Sequence, residues 1–463
     1  MEKVTRRELL RLLGLGSAAA VVAACKPQVV IETVEKVVKE TVVVEKEVEA
    51  QAVSYSGEMR VFVLPGAPVE PVNEFLSAAL TARHPNVSVK FEYIVGDFFE
   101  QVYTRAAAGT LPDVVWNGDS LVMGLAQNGV TMDLLPWAEA DPDVDLDDVF
   151  PAMLGLGYFQ DKLHFLPSAL DVVTMYYNKT LFEEAGAELP SDSWTWDDFI
   201  TQAKKITALD EDGQGNPMYW AISNGTWSWW ATVYPWVVGY GGSAVSEDGT
   251  KSTWSTPEAL AGMKAYTELW TEHNIAQPVG LDVGGDSFTL GRSAVWTHIQ
   301  GVRPYLKTAI EDKFDWDIQV LPKMVDGRHR TGMGTWGMSV NAESQMREAA
   351  YEFVKGLITP PIQKLLSQKE LAVPLLRSVA EDPSWYEGLE PPPANFMAFV
   401  NGADDAVLPY RDYPVDCGGF YTGVVMQSYQ AAVEAVLRDQ QTVEQAFTDC
   451  DAAIQACLDQ HLG

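Results

Sequence analysis

Positive charge, cysteine, histidine and long apolar runs are all scarce in this sequence, and each shortage removes a class of function. Of 463 residues, 32 are Lys or Arg against 64 Asp or Glu, a formal charge of −32 with a pI near 4.4. Phosphate affinity rests on clustered basic side chains, so nucleic acid is excluded as a partner. The six His stand at 84, 164, 273, 298, 329 and 461 without ligand spacing, and no C-x-x-C occurs among the four Cys. Neither a metal site nor a cofactor is expected. The run Asp210-Glu211-Asp212-Gly213-Gln214-Gly215-Asn216 opens like a calcium loop, but its twelfth position is Ala221, where a bidentate Glu is needed. G-x-S-x-G, P-loop and zinc-protease motifs are missing, and nothing marks the carboxylate pair of a glycoside hydrolase, so an enzyme is not expected. The longest apolar stretch, Leu9 to Ala24, is interrupted by Arg11 and falls short of the ~20 residues a membrane-spanning helix needs.

That stretch reads instead as an export signal. Thr5-Arg6-Arg7-Glu8-Leu9-Leu10 gives it a basic start of the twin-arginine type, and Val22-Ala23-Ala24-Cys25 resembles a bacterial lipobox. Residues 1–25 are therefore expected to be a lipoprotein signal peptide, with Cys25 acylated and the protein anchored on the outer side of a cell membrane. Each buried CH₂ of such chains contributes ~0.8 kcal/mol, so two or three chains hold firmly. Residues 26–56 are rich in Val, Glu and Lys, with Val30, Val34, Val37, Thr41, Val44 and Val48 at alternating four- and three-residue steps. This heptad fragment is short and β-branched, which favours a tether over an oligomeriser.

Three cysteines remain. Cys450 and Cys457 lie seven apart in a helical pattern, ~10.5 Å along the axis, beyond the ~7 Å that a disulfide tolerates. Cys417 is expected to pair with one of them.

From Met59 the sequence alternates between strand and helix patterns. Strands are expected at Met59 to Leu64, Val87 to Tyr93 and Asp113 to Trp116, with a helix from Val72 to Arg83. A second alternation follows: strand Val172 to Tyr177, helices Leu181 to Gly186 and Trp196 to Leu209, and strand Tyr219 to Ile222. Further strands close at Leu321 and run from Gly337 to Val340, before a helix from Met346 to Leu357. The last stretch, Gly423 to Leu462, reads as amphipathic helix broken near Arg438-Asp439 and restarted by the Thr442-x-x-Gln445 capping pattern. Two α/β units fit this length. The 15 Trp are more than a core needs and point to aromatic surface held for a ligand.

Several segments resemble the family 1 extracellular solute-binding proteins, the receptors of bacterial sugar-import ABC transporters. The most specific is Tyr176-Tyr177-Asn178-Lys179-Thr180-Leu181-Phe182-Glu183-Glu184-Ala185-Gly186, followed by Trp194-Thr195-Trp196-Asp197-Asp198-Phe199. Leu111-Pro112-Asp113-Val114-Val115-Trp116, Gly334-Thr335-Trp336-Gly337-Met338-Ser339-Val340 and Ala349-Ala350-Tyr351-Glu352-Phe353-Val354 match further segments. The resemblance implies an α/β, two-lobe type II periplasmic-binding-protein fold with a central cleft and hinge. It places 57–168 and 336–388 in one lobe and 169–335 and 389–463 in the other, with crossings near Ser168 to Asp171 and Met333 to Trp336. It also implies a carbohydrate ligand, ABC permease subunits as partners and an extracytoplasmic site. The acidic charge favours a neutral oligosaccharide or polyol. A sensory or structural lipoprotein of the same fold, or a receptor for a non-sugar solute, is the alternative.

Sugars offer apolar C–H faces and a rim of hydroxyls, so a site needs aromatic plates beside carboxylates and amides. By segment, the resemblance assigns ligand contact to Asp119 with Trp116 beside it, to Asp171 at the hinge, and to Arg303 in the Gly301-Val302-Arg303 turn. Trp336 is the expected stacking platform. In the cluster from Trp227 to Trp236, alternation sends Trp229 or Trp230 to the cleft and Tyr234 or Trp236 inward. Tyr421, with Phe420, is a weaker candidate.

Overall fold

A computed structural model describes residues 28–33, 43–48 and 55–462, apart from 64–68, 94–95, 213–214, 224, 371, 409–412 and 420–422. Cys25, the signal sequence and Tyr421 lie outside the described residues. Gln28–Thr33 and Val43–Val48 pair as antiparallel strands, Gln28 opposite Val48. These two stretches of 26–56 are extended: β-branched Val runs lose side-chain freedom in a helix and fit a pleated strand.

Two larger sheets follow among the described residues. The first has the order Val87–Tyr93, Gly57–Val63, Val114–Gly118, Trp336–Val340, Leu166–Pro167. Its first three strands are parallel, and Trp336–Val340 runs antiparallel to both its neighbours. Val114–Gly118 is buried throughout, as a strand covered on both faces must be. Val114 and Trp116 enter the main core, while Val115 joins Phe62, Val102, Leu111, Leu121 and Leu125 in a smaller cluster on the other face.

The second sheet runs Trp220–Ile222, Ser293–His298, Thr174–Asn178, Trp316–Gln319, with Thr174–Asn178 antiparallel to its two neighbours. Beside it the helix Trp196–Thr207 starts with a capping box. The Thr195 hydroxyl accepts from the Asp198 N–H at 3.2 Å, and the Asp198 carboxylate accepts from the Thr195 N–H at 2.9 Å.

The chain passes between the sheets along two segments that lie side by side. Val172 bridges Met333 antiparallel. The Gly334 N–H donates to the Asp171 carbonyl at 3.1 Å, the Val173 N–H to Gly332 at 2.9 Å and the Ser168 N–H to Trp336 at 2.9 Å. Polar backbone this deep needs partners, and the two crossings supply them to each other.

At the C-terminus the helices Gly423–Leu437 and Val443–Leu462 pack on each other and on Pro257–Thr271. The break falls at Asp439, whose φ is 55°, and the Gln445 N–H donates to the Thr442 hydroxyl at 3.2 Å. Cys417 is bonded to Cys457 with Cα atoms 5.7 Å apart, and Cys450 is a buried free thiol whose pKa burial pushes well up. No helix among the described residues is long and apolar enough to cross a membrane.

Peptide mapping without reductant should recover a Cys417–Cys457 peptide, with Cys450 alkylated only after denaturation. A Cys417–Cys450 peptide would contradict this arrangement.

Candidate functional site

The fully buried strand Val114–Gly118 runs directly into the helix Asp119–Gln127, which puts Asp119 in the helix's first turn, where free N–H groups favour a carboxylate. Its backbone N–H donates to the Thr335 carbonyl at 3.1 Å, so helix and crossing segment are joined there. In register with Gly118 stands Trp336, the first residue of its strand. Unlike most Trp of this chain it is 45% exposed, with the Phe98 ring edge-on at 5.7 Å. An indole held open in this way, braced by a second ring, is an apolar plate awaiting a partner.

Gly334 lies between the two halves. A Cβ there would stand 3.7 Å from the Trp229 ring and 3.9 Å from Asp119 Oδ2. Trp229, the residue before the helix Trp230–Gly239, thus comes from the second half to face the carboxylate of the first. Its ring rests on His298 at 5.6 Å, and Trp296 packs on the other contact of that imidazole at 4.9 Å. Burial pushes His298 down to about 4, so the imidazole is neutral at pH 7. Its Nδ1 accepts from the Ile299 N–H at 2.9 Å, which places the ring proton on Nε2.

Asp171 completes the group at the crossing itself. It is 7% exposed, and Oδ1 has no hydrogen-bond partner among the described residues. Desolvation pushes its carboxyl up to about 7; the Thr335 hydroxyl and Gln300 amide oppose this, while the charge of Asp119 adds to it. A buried carboxylate oxygen with spare acceptor capacity is suited to a ligand hydroxyl.

Asp119, Asp171, Trp229 and Trp336 are therefore brought together. Three other candidates are corrected. Trp116 is 2% exposed and its indole N–H donates to Asn73 Oδ1 at 2.7 Å, which makes it core. Trp230 is 1% exposed within the main core, as are its neighbours Tyr234 and Trp236 at 5% and 4%. Arg303 is buried; its guanidinium pairs with Glu370 at 3.4 Å, donates to the Glu370 carbonyl at 3.2 Å and lies over the Phe396 ring, which turns it toward Glu370, while its buried Nε has no hydrogen-bond partner among the described residues. Sequence reasoning missed Phe98, His298, Gln300 and the space at Gly334. None carried a motif, although Gly334 and Thr335 stood inside a recognisable segment.

Two α/β halves joined by paired crossings, with carboxylates and indoles facing one another at the junction, define the two-lobe solute-binding class. Solved structures share it. An ABC substrate-binding protein from Listeria monocytogenes in complex with cycloalternan superposes with a TM-score of 0.71 at 23% identity, over 88% of this chain and 100% of that one. The sugar-binding protein MalE from Xanthomonas citri does so at 0.73 and 18% identity, over 87% and 98%. The family model for bacterial extracellular solute-binding protein matches residues 66–364, and the chain belongs to that family, one of receptors outside the cytoplasm, not enzymes. Among curated relatives, a binding protein of Brucella abortus is 29% identical over 231 residues, 48% of this chain and 52% of that one. A mannitol-binding protein of Pseudomonas aeruginosa is 22% identical over 311 residues, 64% and 67%. The chain thus spans about half the length of the first of these relatives.

The raised Asp171 pKa has a definite sign. The unfolded carboxyl titrates near 3.8 and the folded one near 7, so the folded state holds the extra proton between these values. Stability conferred at low pH should fall as pH rises through that window, by up to about 1.4 kcal/mol per unit, and level off above it. Urea unfolding of the protein and of Asp171→Asn across the window checks this; equal slopes in both would contradict it.

Proposed function

We propose that the protein is a membrane-anchored extracytoplasmic receptor that binds a carbohydrate at the crossing, closes its lobes over it and delivers it to an ABC import permease. The observation that carries this is the exposed Trp336 indole set beside the Asp119 and Asp171 carboxylates. A pyranose or polyol needs an apolar surface for its C–H face and acceptors for its hydroxyls, and this junction supplies both. Named relatives support the class: mannitol-binding and erythritol/L-threitol-binding proteins are among them, the latter 24% identical over 308 residues. The net charge of −32 favours a neutral oligosaccharide or polyol. Lobe boundaries at 57–168 with 336–388 and 169–335 with 389–463 go with this reading, as does acylation of Cys25. Closure would remove water from the carboxylates and strengthen their hydrogen bonds to the solute.

Thermal unfolding in the presence of mannitol, erythritol, maltotriose, cycloalternan and a set of amino acids tests the proposal. A sugar or polyol at a hundred times its Kd should add ~2.7 kcal/mol of stability. A shift with amino acids alone, or with no compound, would contradict it.

With the sugar in hand, Trp336→Ala and Gly334→Val should each weaken binding by about tenfold or more, equivalent to 1.4 kcal/mol. The first removes the plate. The second places methyl groups between Trp229 and Asp119, where a Cβ alone makes ordinary contacts and the backbone is unstrained. Titration calorimetry reads both, and unchanged affinity in either variant would exclude that residue from the site.

A further inference from the structure

The surroundings of the Cys417–Cys457 disulfide connect it to the site. Cys417 is fully buried at the end of the short turn Val415–Cys417. Its partner Cys457 lies on the C-terminal helix Val443–Leu462, and one turn further along that helix His461 stands 3.3 Å from Asp416. The turn is therefore tied to the helix at two consecutive positions. The helix is itself fixed, because the Asp451 carboxylate accepts from the Trp254 N–H at 2.7 Å and the Ser255 N–H at 2.8 Å. Everything on this side belongs to the second half of the molecule.

Two residues beyond the disulfide, the chain meets the first half. A Cβ at Gly419 would stand 3.6 Å from Met123 Sδ and 3.7 Å from Met123 Cε. Met123 is four residues after Asp119 in the helix Asp119–Gln127, hence on the same face and one turn along. The tied segment thus reaches across to the helix that begins with a carboxylate of the site.

We propose that the Cys417–Cys457 disulfide is a positioning pair for the binding site. It holds Gly419 against Met123 and so steadies the Asp119 helix. Breaking it loosens that helix and weakens solute binding. Only this last consequence rests on the receptor reading.

The test is hydrogen–deuterium exchange by mass spectrometry on the full-length protein, with no solute present, before and after reduction with dithiothreitol. The reagent supplies two electrons and two protons, leaving both cysteines as thiols and itself closing to a disulfide. Cys417→Ser/Cys457→Ser serves if the buried bond resists reduction, and Met123→Ala removes the far contact with the disulfide intact. Amides of Asp119–Gln127 should exchange about tenfold faster after reduction. Met123→Ala should reproduce that rise, and reducing it should add nothing. A purely structural disulfide would quicken exchange in Val443–Leu462 alone, and that result, or an inert Met123→Ala, overturns the proposal. Because no solute is used, its failure is distinct from a failure to find one.

Discussion

Everything at the site hangs on the antiparallel pairing of residues 168–173 with 331–336. Two chain segments leaving the same sheet carry backbone groups through the main core, where water is scarce and unpaired N–H or C=O groups are costly. Pairing with each other satisfies them: Val172 bridges Met333, and Gly334 and Val173 exchange bonds with Asp171 and Gly332. One consequence is positional. The same few residues that make the crossing also hold Asp171, Thr335 and Trp336, so the site and the hinge are built from one structure.

The chemistry follows from that placement. Asp171 is desolvated by burial, while Asp119 stands in the first turn of a helix, where the macrodipole favours a negative charge. Two carboxylates in different surroundings can serve one ligand as acceptors of different strength. The indoles flank them from opposite halves, Trp336 from the first sheet and Trp229 from the wall built on His298. A solute touching both plates gains contacts only when the halves approach, which is how binding is coupled to closure in the proposed function.

Most strands and helices were legible in the sequence because they are written in local periodicity, while the two-lobe arrangement was implied by the family resemblance. The strand Val87–Tyr93 and the helix break at Asp439 fall where turn and capping residues put them. Trp116 was assigned by resemblance as the neighbour of Asp119, and its core position was hidden because a strand buried on both faces has no apolar–polar alternation to tell its sides apart. Trp229 and Trp230 could not be separated because a helix starts between them and resets the period. Arg303 looked free in the sequence since its partner Glu370 lies 67 residues on. His298 was invisible for a similar reason, its role being to carry Trp229 from a different strand.

The central claim is that a carbohydrate at the crossing draws the two halves together. Small-angle X-ray scattering of the protein, alone and saturated with a sugar that stabilises it, reads this most directly. The account predicts a smaller radius of gyration with the sugar, and the same contraction missing from Trp336→Ala at equal sugar concentration. An unchanged radius in the saturated protein would contradict it, since the solute would then bind without engaging both walls.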